Sequence, residues 1–291
     1  MDVLLVTCAA MPGLHGDDRY LLRALGERGI TAEPAVWEDQ RRDWAGVRLC
    51  LIRSAWDYAY RRTQFVAWAE QVANVTRLWN PAPLVRWNTH KQYLCDLADR
   101  GVPTVPTVVL QAGTAVSLER VLSEHRWTDV VLKAAVAQTG RYAMRVSLGA
   151  LEAGQAHLDR LLPYEDMLVQ PYVPSVVQGG EVSVVLIDGE FTHAVQKVAA
   201  EEEFLVHDDF GGTVRPARLT RAQLRTAERA LAALDRPTLY GRVDLVAGEG
   251  GQPAVMEFEV VEPELFFRYS PAAVERMVIA VERELTSAFG G

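Results

Sequence analysis

The sequence predicts an α/β protein whose C-terminal part becomes α+β. Two observations lead there. Near the N-terminus short apolar runs alternate with amphipathic stretches, the order of a parallel sheet crossed by helices. Further on, two segments read as antiparallel hairpins: residues 181–197 around the turn Asp188-Gly189, and residues 240–260 around a Gly/Glu turn.

The elements follow in order. Val3–Thr7 is an apolar run of buried-strand type. Asp17 or Asp18 is expected to cap a helix with Leu21, Leu22 and Leu25 inward, ended by Gly29. Residues 49–53 form a second strand, and residues 64–72 a helix with Phe65, Trp68 and Ala69 inside. Leu78-Trp79-Asn80 is extended and stops at Pro81 and Pro83. A second block opens with a helix capped by Asn88 or Thr89, with Tyr93, Leu94 and Leu97 inward and Gly101 at its end. Pro103 and Pro106 bracket a linker to a strand at 107–110, and a helix follows at 118–125. Residues 129–136 read as a strand buried on both faces, and residues 167–173 are extended. After the first hairpin, Thr220 and Gln223 form a capping-box pattern for a helix with Leu224, Ala227, Leu231 and Leu234 on its core face. Ser270 and Pro271 open the last helix, with Val274, Val278, Val281 and Leu285 inward.

Composition narrows the function classes. The chain has 291 residues, of which 49% are hydrophobic, so a sizeable core and more than one domain are affordable. Its formal net charge of -8 argues against nonspecific nucleic-acid binding or attraction to an anionic membrane. No apolar stretch approaches the roughly 20 residues of a membrane span, and the N-terminus lacks a basic leader. Cys8, Cys50 and Cys95 have no metal-ligand spacing and sit in apolar surroundings. The expectation is a cytoplasmic protein with no nucleic-acid or membrane partner.

The hairpin at 240–260 carries the strongest chemical signal. Side chains alternate along a strand, so Arg242 and Asp244 share a face, as do Glu257 and Glu259. The simplest register sets Asp244 opposite Glu257. Like charges directly opposite are destabilising unless a cation lies between them, and an all-oxygen set suits Mg²⁺ with phosphate as a further ligand. A solvated polar face would give the same alternation, and a bulge would shift the register. Lys133 interrupts the apolar run at 129–136; a buried ammonium needs an anion, unless it snorkels to water from the strand end. Lys91, in the first turn of its predicted helix, is better accommodated if a phosphate shares that helix N-terminus; otherwise it is an ordinary exposed lysine. The loop with Gln138, Thr139, Gly140 and Arg141 is a weak phosphate-loop signal. The segment from His207 to Thr213, with Gly211 and Gly212, is a candidate lid or a plain turn. Glu181 and Lys197 end opposite strands of the first hairpin, as edge charges or as site residues. Arg53, Ser54, Trp56 and Asp57 follow a parallel strand, where ligands of open α/β sheets bind, although loop polarity alone would explain them. His193 and His207 have no partner at metal spacing.

The order of these features resembles the ATP-grasp superfamily of carboxylate–amine ligases: a helix-start lysine, a strand lysine with a polar loop, Gln170-Pro171-Tyr172-Val173, Gly180-Glu181, Asp-Phe-Gly211-Gly212-Thr213, then Gly-Arg242-Val-Asp244 with Met-Glu257-Phe-Glu259. The resemblance covers the chain from about Asn88 onward. It implies an ATP-grasp fold: a Rossmann-like unit at 1–86, then subdomains at 87–170 and 171–291 that sandwich ATP. It implies that Lys91 and Lys133 contact the phosphates, that Gln170, Tyr172 and Val173 line the adenine slot, and that Glu181 sits near the ribose. Arg242 would meet the oxyanion, and Asp244, Glu257 and Glu259 would hold Mg²⁺. Many relatives have Asn at the position of Glu259. Arg53-Ser-Ala-Trp-Asp57-Tyr58, Trp79-Asn80-Pro81 and the run from Glu257 to Phe267 resemble the branch that contains the O-ureido-D-serine cyclo-ligase.

The resemblance therefore implies an ATP-dependent ligase for a small amino-acid-like substrate, with a homodimer expected from the superfamily alone. An intermolecular ligase, a phosphotransferase and a nucleotide-binding regulator without turnover stay open. Replacing Lys133 or Asp244 by alanine is expected to abolish ADP formation while the fold survives; near-normal turnover in either variant would overturn the assignment.

Overall fold

The structure is a computed structural model that describes residues 1–138, 140–198 and 212–287. Three sheets follow one another along the chain. The first is parallel, in the order β2-β1-β3-β4, from β1 (Val3–Thr7), β2 (Ala32–Val36), β3 (Leu49–Ser54) and β4 (Arg77–Trp79). Its crossover helices are α1 (Asp18–Glu27) and α2 (Arg62–Ala73). Strand alternation divides its core. Val3, Leu5, Leu49 and Leu51 pack with Leu21 and Leu25 of α1, while Leu4, Val6, Cys50 and Ile52 pack with Phe65, Trp68 and Ala69 of α2. Burial pushes the Cys50 thiol up to about 12, so it behaves as a small hydrophobe.

The second sheet is antiparallel, in the order β5-β8-β6-β7. It is preceded by α3 (Ala82–Asn88) and α4 (Tyr93–Asp99). Its strands are β5 (Val108–Leu110), β6 (Asp129–Ala134), β7 (Met144–Ser147) and β8 (Met167–Pro171), with α5 (Leu118–His125) and α6 (Leu151–Leu161) covering one face. The third sheet has the order β11-β10-β9-β12-β13. After the short α7 (Ser175–Gly179) come β9 (Glu181–Ile187), β10 (Glu190–Val198), β11 (Thr213–Pro216), α8 (Arg221–Ala232), β12 (Tyr240–Ala247), β13 (Pro253–Glu259) and α9 (Pro271–Thr286). Val184, Leu186, Val243, Leu245 and Phe258 pack against α4 and α8. On the opposite face the sheet is apolar under α9, through Val185, Ile187 and Tyr240, and becomes charged beyond it. Asp188 and Gly189 both take positive φ, as a two-residue hairpin turn requires.

Several expectations need correction. Neither Asp17 nor Asp18 caps α1 through its side chain. Asp17 accepts from the backbone N–H groups of Phe267 and Arg268, and Asp18 from Arg53 and Ser54. The helix expected to begin at Asn88 or Thr89 begins only at Tyr93, as α4; Asn88 and Thr89 instead end α3, a separate helix that the sequence reading lacked. Lys91 therefore lies in the connecting turn. Residues 129–134 alternate, with Val130, Leu132 and Ala134 in the core and Lys133 on the other face, so this strand is not buried on both sides. On α8 the buried positions are Thr226, Ala227 and Ala230, with Leu231 and Leu234 only flanking them. The sequence reading also lacked β2, β7, β11, α6 and α7. Edge position explains β2, β7 and β11; β2 tolerates Pro34 because an edge strand can do without one donor.

Buried polar side chains fasten the first sheet to the third. Asn80 donates to the carbonyls of Tyr240 and Val260 and accepts from the N–H of Leu239. Asn88 donates to the Phe258 carbonyl and accepts from the Val260 N–H. Arg53 has no exposed surface; it donates to Asp18 at 2.9 Å and to the Pro263 carbonyl at 2.7 Å, and it lies over the Tyr240 ring. Asp18→Ala would strand that guanidinium, and the expected loss is about 3–5 kcal/mol. Denaturant unfolding should also find that Asp18→Leu combined with Arg53→Met costs less than Asp18→Ala alone.

Candidate active site

The hairpin of β12 and β13 has the register that alternation predicts. Asp244 faces Glu257 and Arg242 faces Glu259, with a bulge just beyond, between Asp244 and Leu245. The bulge falls after the charged pairs, so it shifts only the apolar end. β9 runs along the other side of β12 and sets Ser183 beside Asp244. β10 then sets Lys197 beside Glu181. Gly180, at φ +74°, makes this approach feasible: a Cβ there would lie 2.3 Å from the Lys197 carbonyl oxygen.

These strands create a compact charged cluster. Arg242 donates from Nε to Asp244 at 3.0 Å, from Nη2 to Asp244 at 2.9 Å and to Glu259 at 2.7 Å, and from Nη1 to the Glu264 carbonyl. Lys197 pairs with Asp244 at 3.1 Å and also with Glu181. Ser183 donates to Asp244. From the second sheet, Lys133 reaches Glu257 at 3.4 Å, and Lys91 reaches the same oxygen at 2.9 Å. The N–H of Lys91 donates to the Ala135 carbonyl, which ties its turn to the end of β6.

Electrostatics divides these groups into roles. Burial lowers Lys133 below the ordinary lysine value; Glu257 opposes the shift and Lys91 adds to it. At Lys91 burial also opposes the charge, but Glu257, Tyr93 and Glu259 together outweigh it, and the amine stands above its usual value. Two lysines thus share one carboxylate, and Lys133 is the poorly satisfied one, as at a site built for an anion. Burial would raise Asp244, yet Arg242 and Lys197 hold it down at about 2. Burial raises Glu259 despite Arg242, and Asp244 and Glu257 add to that rise. Oxygens of Asp244, Glu257 and Glu259 lie within 4.8 Å of one another. This all-oxygen donor set, with like charges this close, fits a hard divalent cation.

Two cavities meet at the cluster. The first opens between the second and third sheets and takes in Lys91, Lys133, Gln170, Tyr172, Val173 and Glu181. Gln170 is held by a bond to Thr107 at 2.8 Å, and the Arg145 guanidinium covers the Tyr172 ring. The second cavity, of about 540 Å³, extends toward the first sheet and is walled by His15, Tyr20, Trp56, Arg242, Glu262 and Arg268. Gln138, Lys197 and Glu259 line both.

Among the residues expected to touch substrate, Trp56 and Lys197 reach the second cavity, whereas Arg53, Ser54 and Asp57 do not. Arg53 and Ser54 are fully buried and bonded to Asp18. Asp57 accepts from Trp37 and Arg61. These polar residues at and after the end of β3 therefore turn back onto the protein rather than face the cavity. Gly212 precedes β11 and lines neither cavity; Gly211, His207 and Thr139 lie outside the described residues. Sequence reasoning did not single out Glu262, Arg268, His15 or Tyr20. Glu262 and Arg268 follow the last strand, in a segment without periodicity; Glu262 stood in the run from Glu257 to Phe267 that carried the branch resemblance, but no role was read for it.

Comparison with known proteins agrees with this geometry. Residues 3–80 match the family model of the D-cycloserine synthetase DcsG N-terminal domain, and residues 102–249 that of the prokaryotic glutathione synthetase ATP-grasp domain. The cycloserine biosynthesis protein DcsG of Streptomyces lavendulae is 36% identical over a 299-residue alignment that covers 97% of this chain and 98% of the relative. A crystal structure of D-cycloserine synthetase DcsG superposes with a TM-score of 0.90 at 35% identity, covering 98% of this chain and 100% of that one. D-alanine–D-alanine ligase from Bacillus anthracis shares the fold at 12% identity and a TM-score of 0.70, with 98% and 97% of the two chains covered. With a charged strand face at the mouth of two cavities and a near-full-length match to DcsG, the chain belongs to the DcsG family of ATP-grasp enzymes, ATP-dependent ligases that form carbon–nitrogen bonds.

Proposed function

We propose that this enzyme closes O-ureido-D-serine to D-cycloserine while ATP is converted to ADP and phosphate. One observation carries the reading: Lys197 and Glu259, with Gln138, belong to both cavities, and the charged cluster lies where the cavities join. A nucleotide in the first cavity would direct its terminal phosphate toward an acid held in the second. The relatives named for D-cycloserine synthesis support this choice of acid.

In this reading Lys91 and Lys133 leave Glu257 to hold the phosphate oxygens, which relieves the crowding of two ammonium groups on one carboxylate. Gln170, Tyr172 and Val173 flank the base, and Glu181 lies near the ribose. Asp244, Glu257 and Glu259 would hold Mg²⁺, which when bound offsets the charge of the phosphates. The substrate carboxylate attacks the γ-phosphate and becomes an acyl phosphate. Arg242 faces the reacting carbonyl and stabilises the oxyanion that forms when nitrogen attacks it. That nitrogen is the one bonded to the side-chain oxygen. Phosphate leaves, a five-membered ring closes, and the carbamoyl group on the nitrogen is lost by hydrolysis. Because both reacting groups belong to one molecule, ring closure gains from high effective molarity.

The test is phosphate release with Mg–ATP. O-ureido-D-serine alone should give ADP, phosphate and D-cycloserine. Phosphate that appears only with a separately added amine would replace this reading with an intermolecular ligase, and a stable phosphorylated product would replace it with a phosphotransferase. Lys133→Met should lower kcat/KM for ATP by roughly 100-fold or more, the size seen when one stabilising contact to developing charge is removed. Asp244→Asn is the cleaner metal-site variant: both changes remove the counter-charge of Arg242 and Lys197, but the amide keeps the shape and an oxygen that can still accept from them, which alanine would lose.

A further inference from the structure

The second cavity holds several acidic groups, and all but one form an ion pair, two of them with the same arginine. Asp17 pairs with Arg268 at 3.3 Å, and Glu264 also pairs with Arg268. Glu259 pairs with Arg242 at 2.7 Å. Glu262 is different. Its residue is 3% exposed, and its carboxylate accepts from the Gln138 amide and is hydrogen-bonded to the Tyr58 hydroxyl. Both neighbours are neutral. Among the described residues no lysine, arginine or histidine forms an ion pair with it. A carboxyl taken out of water without a positive partner is held at a cost, and a ligand cation would remove that cost. Consistently, burial, with Glu259 close by, pushes it up to about 8.

We infer that Glu262 is the receptor for the ammonium group of the amino-acid substrate and so sets the enzyme's selectivity for that group. The assignment rests on the ligase reading above. Three features converge on it. Glu262 lies on the wall of the acid-side cavity together with Arg242, Lys197 and Glu259. Covalent geometry fixes an α-ammonium nitrogen about 2.5 Å from the carboxyl carbon of the same amino acid. An ammonium held at Glu262 therefore keeps the reacting carboxyl inside the cavity that Arg242 also lines. Finally, the Glu262 backbone is held independently of its carboxylate, because the Trp56 indole N–H donates to its carbonyl at 2.9 Å. The acid is presented on a rigid support, as orientation at a reacting centre requires. Gln138 also links it to the loop after β6, which lines the nucleotide cavity as well.

The experiment compares O-ureido-D-serine with the analogue in which hydrogen replaces the amino group, in wild-type enzyme and in Glu262→Gln. The amide keeps the shape and still accepts from Gln138. Wild-type enzyme should strongly prefer the ammonium compound. Glu262→Gln should raise KM for that compound roughly 10- to 100-fold, the loss expected for one charge-assisted contact. It should leave KM for ATP unchanged and narrow the preference between the two compounds. Glu262→Asp, which keeps the charge, should restore part of that preference. Equal kcat/KM for the two compounds in wild-type enzyme overturns the assignment without any variant. So does an equal loss on both in Glu262→Gln or an unchanged KM; either leaves the ligase reading intact. Absence of turnover in wild-type enzyme overturns the ligase reading and this assignment together.

Discussion

Asp244 and Glu257 face each other across the β12–β13 ladder, and much of the surrounding structure serves to keep two carboxylates there. Their oxygens lie no more than 4.8 Å apart, and at that limit two like charges repel by about 3–4 kcal/mol at an effective dielectric of 20. One opposite charge at hydrogen-bond distance attracts by more than that in the same medium, so a single well-placed cation per carboxylate outweighs the repulsion. The structure provides more than one. Asp244 has Arg242 and Lys197, and Glu257 has Lys91 and Lys133. Arg242 and Lys197 come from the same sheet as Asp244, whereas Lys91 and Lys133 come from the α3–α4 turn and from β6. The second sheet is thus drawn to the third partly by charge at the site itself, and a ligand that competes for those lysines acts directly on the junction.

The remaining constraint is the position of the first sheet, which walls the acid-side cavity. Here the fastening groups are uncharged or fully paired. Asn80 and Asn88 bridge to backbone groups on β12 and β13, and the Tyr240 hydroxyl lies within hydrogen-bond reach of carbonyls from Ile52, Trp79 and Val261. Such bonds are directional and lie away from solvent, so salt or a charged ligand weakens them little. One side of the site is therefore held by bonds that ligand charge leaves alone, and the other by bonds that ligand charge exchanges.

This division also explains how much of the molecule was legible in its sequence. A strand has a strict period of two, so Arg242, Asp244, Glu257 and Glu259 were on one face as soon as two strands were recognised, and the register followed from the same count. The Asp188-Gly189 turn fixed the other hairpin for a similar reason. Arg53, Ser54 and Asp57 misled because the rule that ligands bind beyond strand ends does not tell a side chain that faces a cavity from one that turns back onto the domain. Asp18 decides that for Arg53 and Ser54, and Asp18 was instead read as a helix cap. The α3–α4 break escaped notice because Asn88 is a good cap by type, whereas in the fold its amide is used on β13. In each of these failures a polar residue with a sound local reading was taken up by a long-range partner.

Glu262 escaped for a different reason, and it bears on how the site treats charge. Lys91, Lys133, Lys197 and Arg242 are offset by Glu181, Asp244, Glu257 and Glu259, so the cluster is close to neutral before any ligand arrives. In the proposed reading the lysines turn to phosphate, and the acidic triad is then left as a set of oxygens that would hold a divalent cation. An acidic group outside this balance has to answer to the other substrate. Glu262 lies beyond β13, where Lys91 acts on it without forming an ion pair, so in the proposed reading its cationic partner enters with the reactant. On the same reading the nucleotide side is balanced internally and made selective by geometry, while on the acid side Asp17 and Glu264 share Arg268 and Glu262 has no ion pair, a deficit of positive charge that would make that side selective.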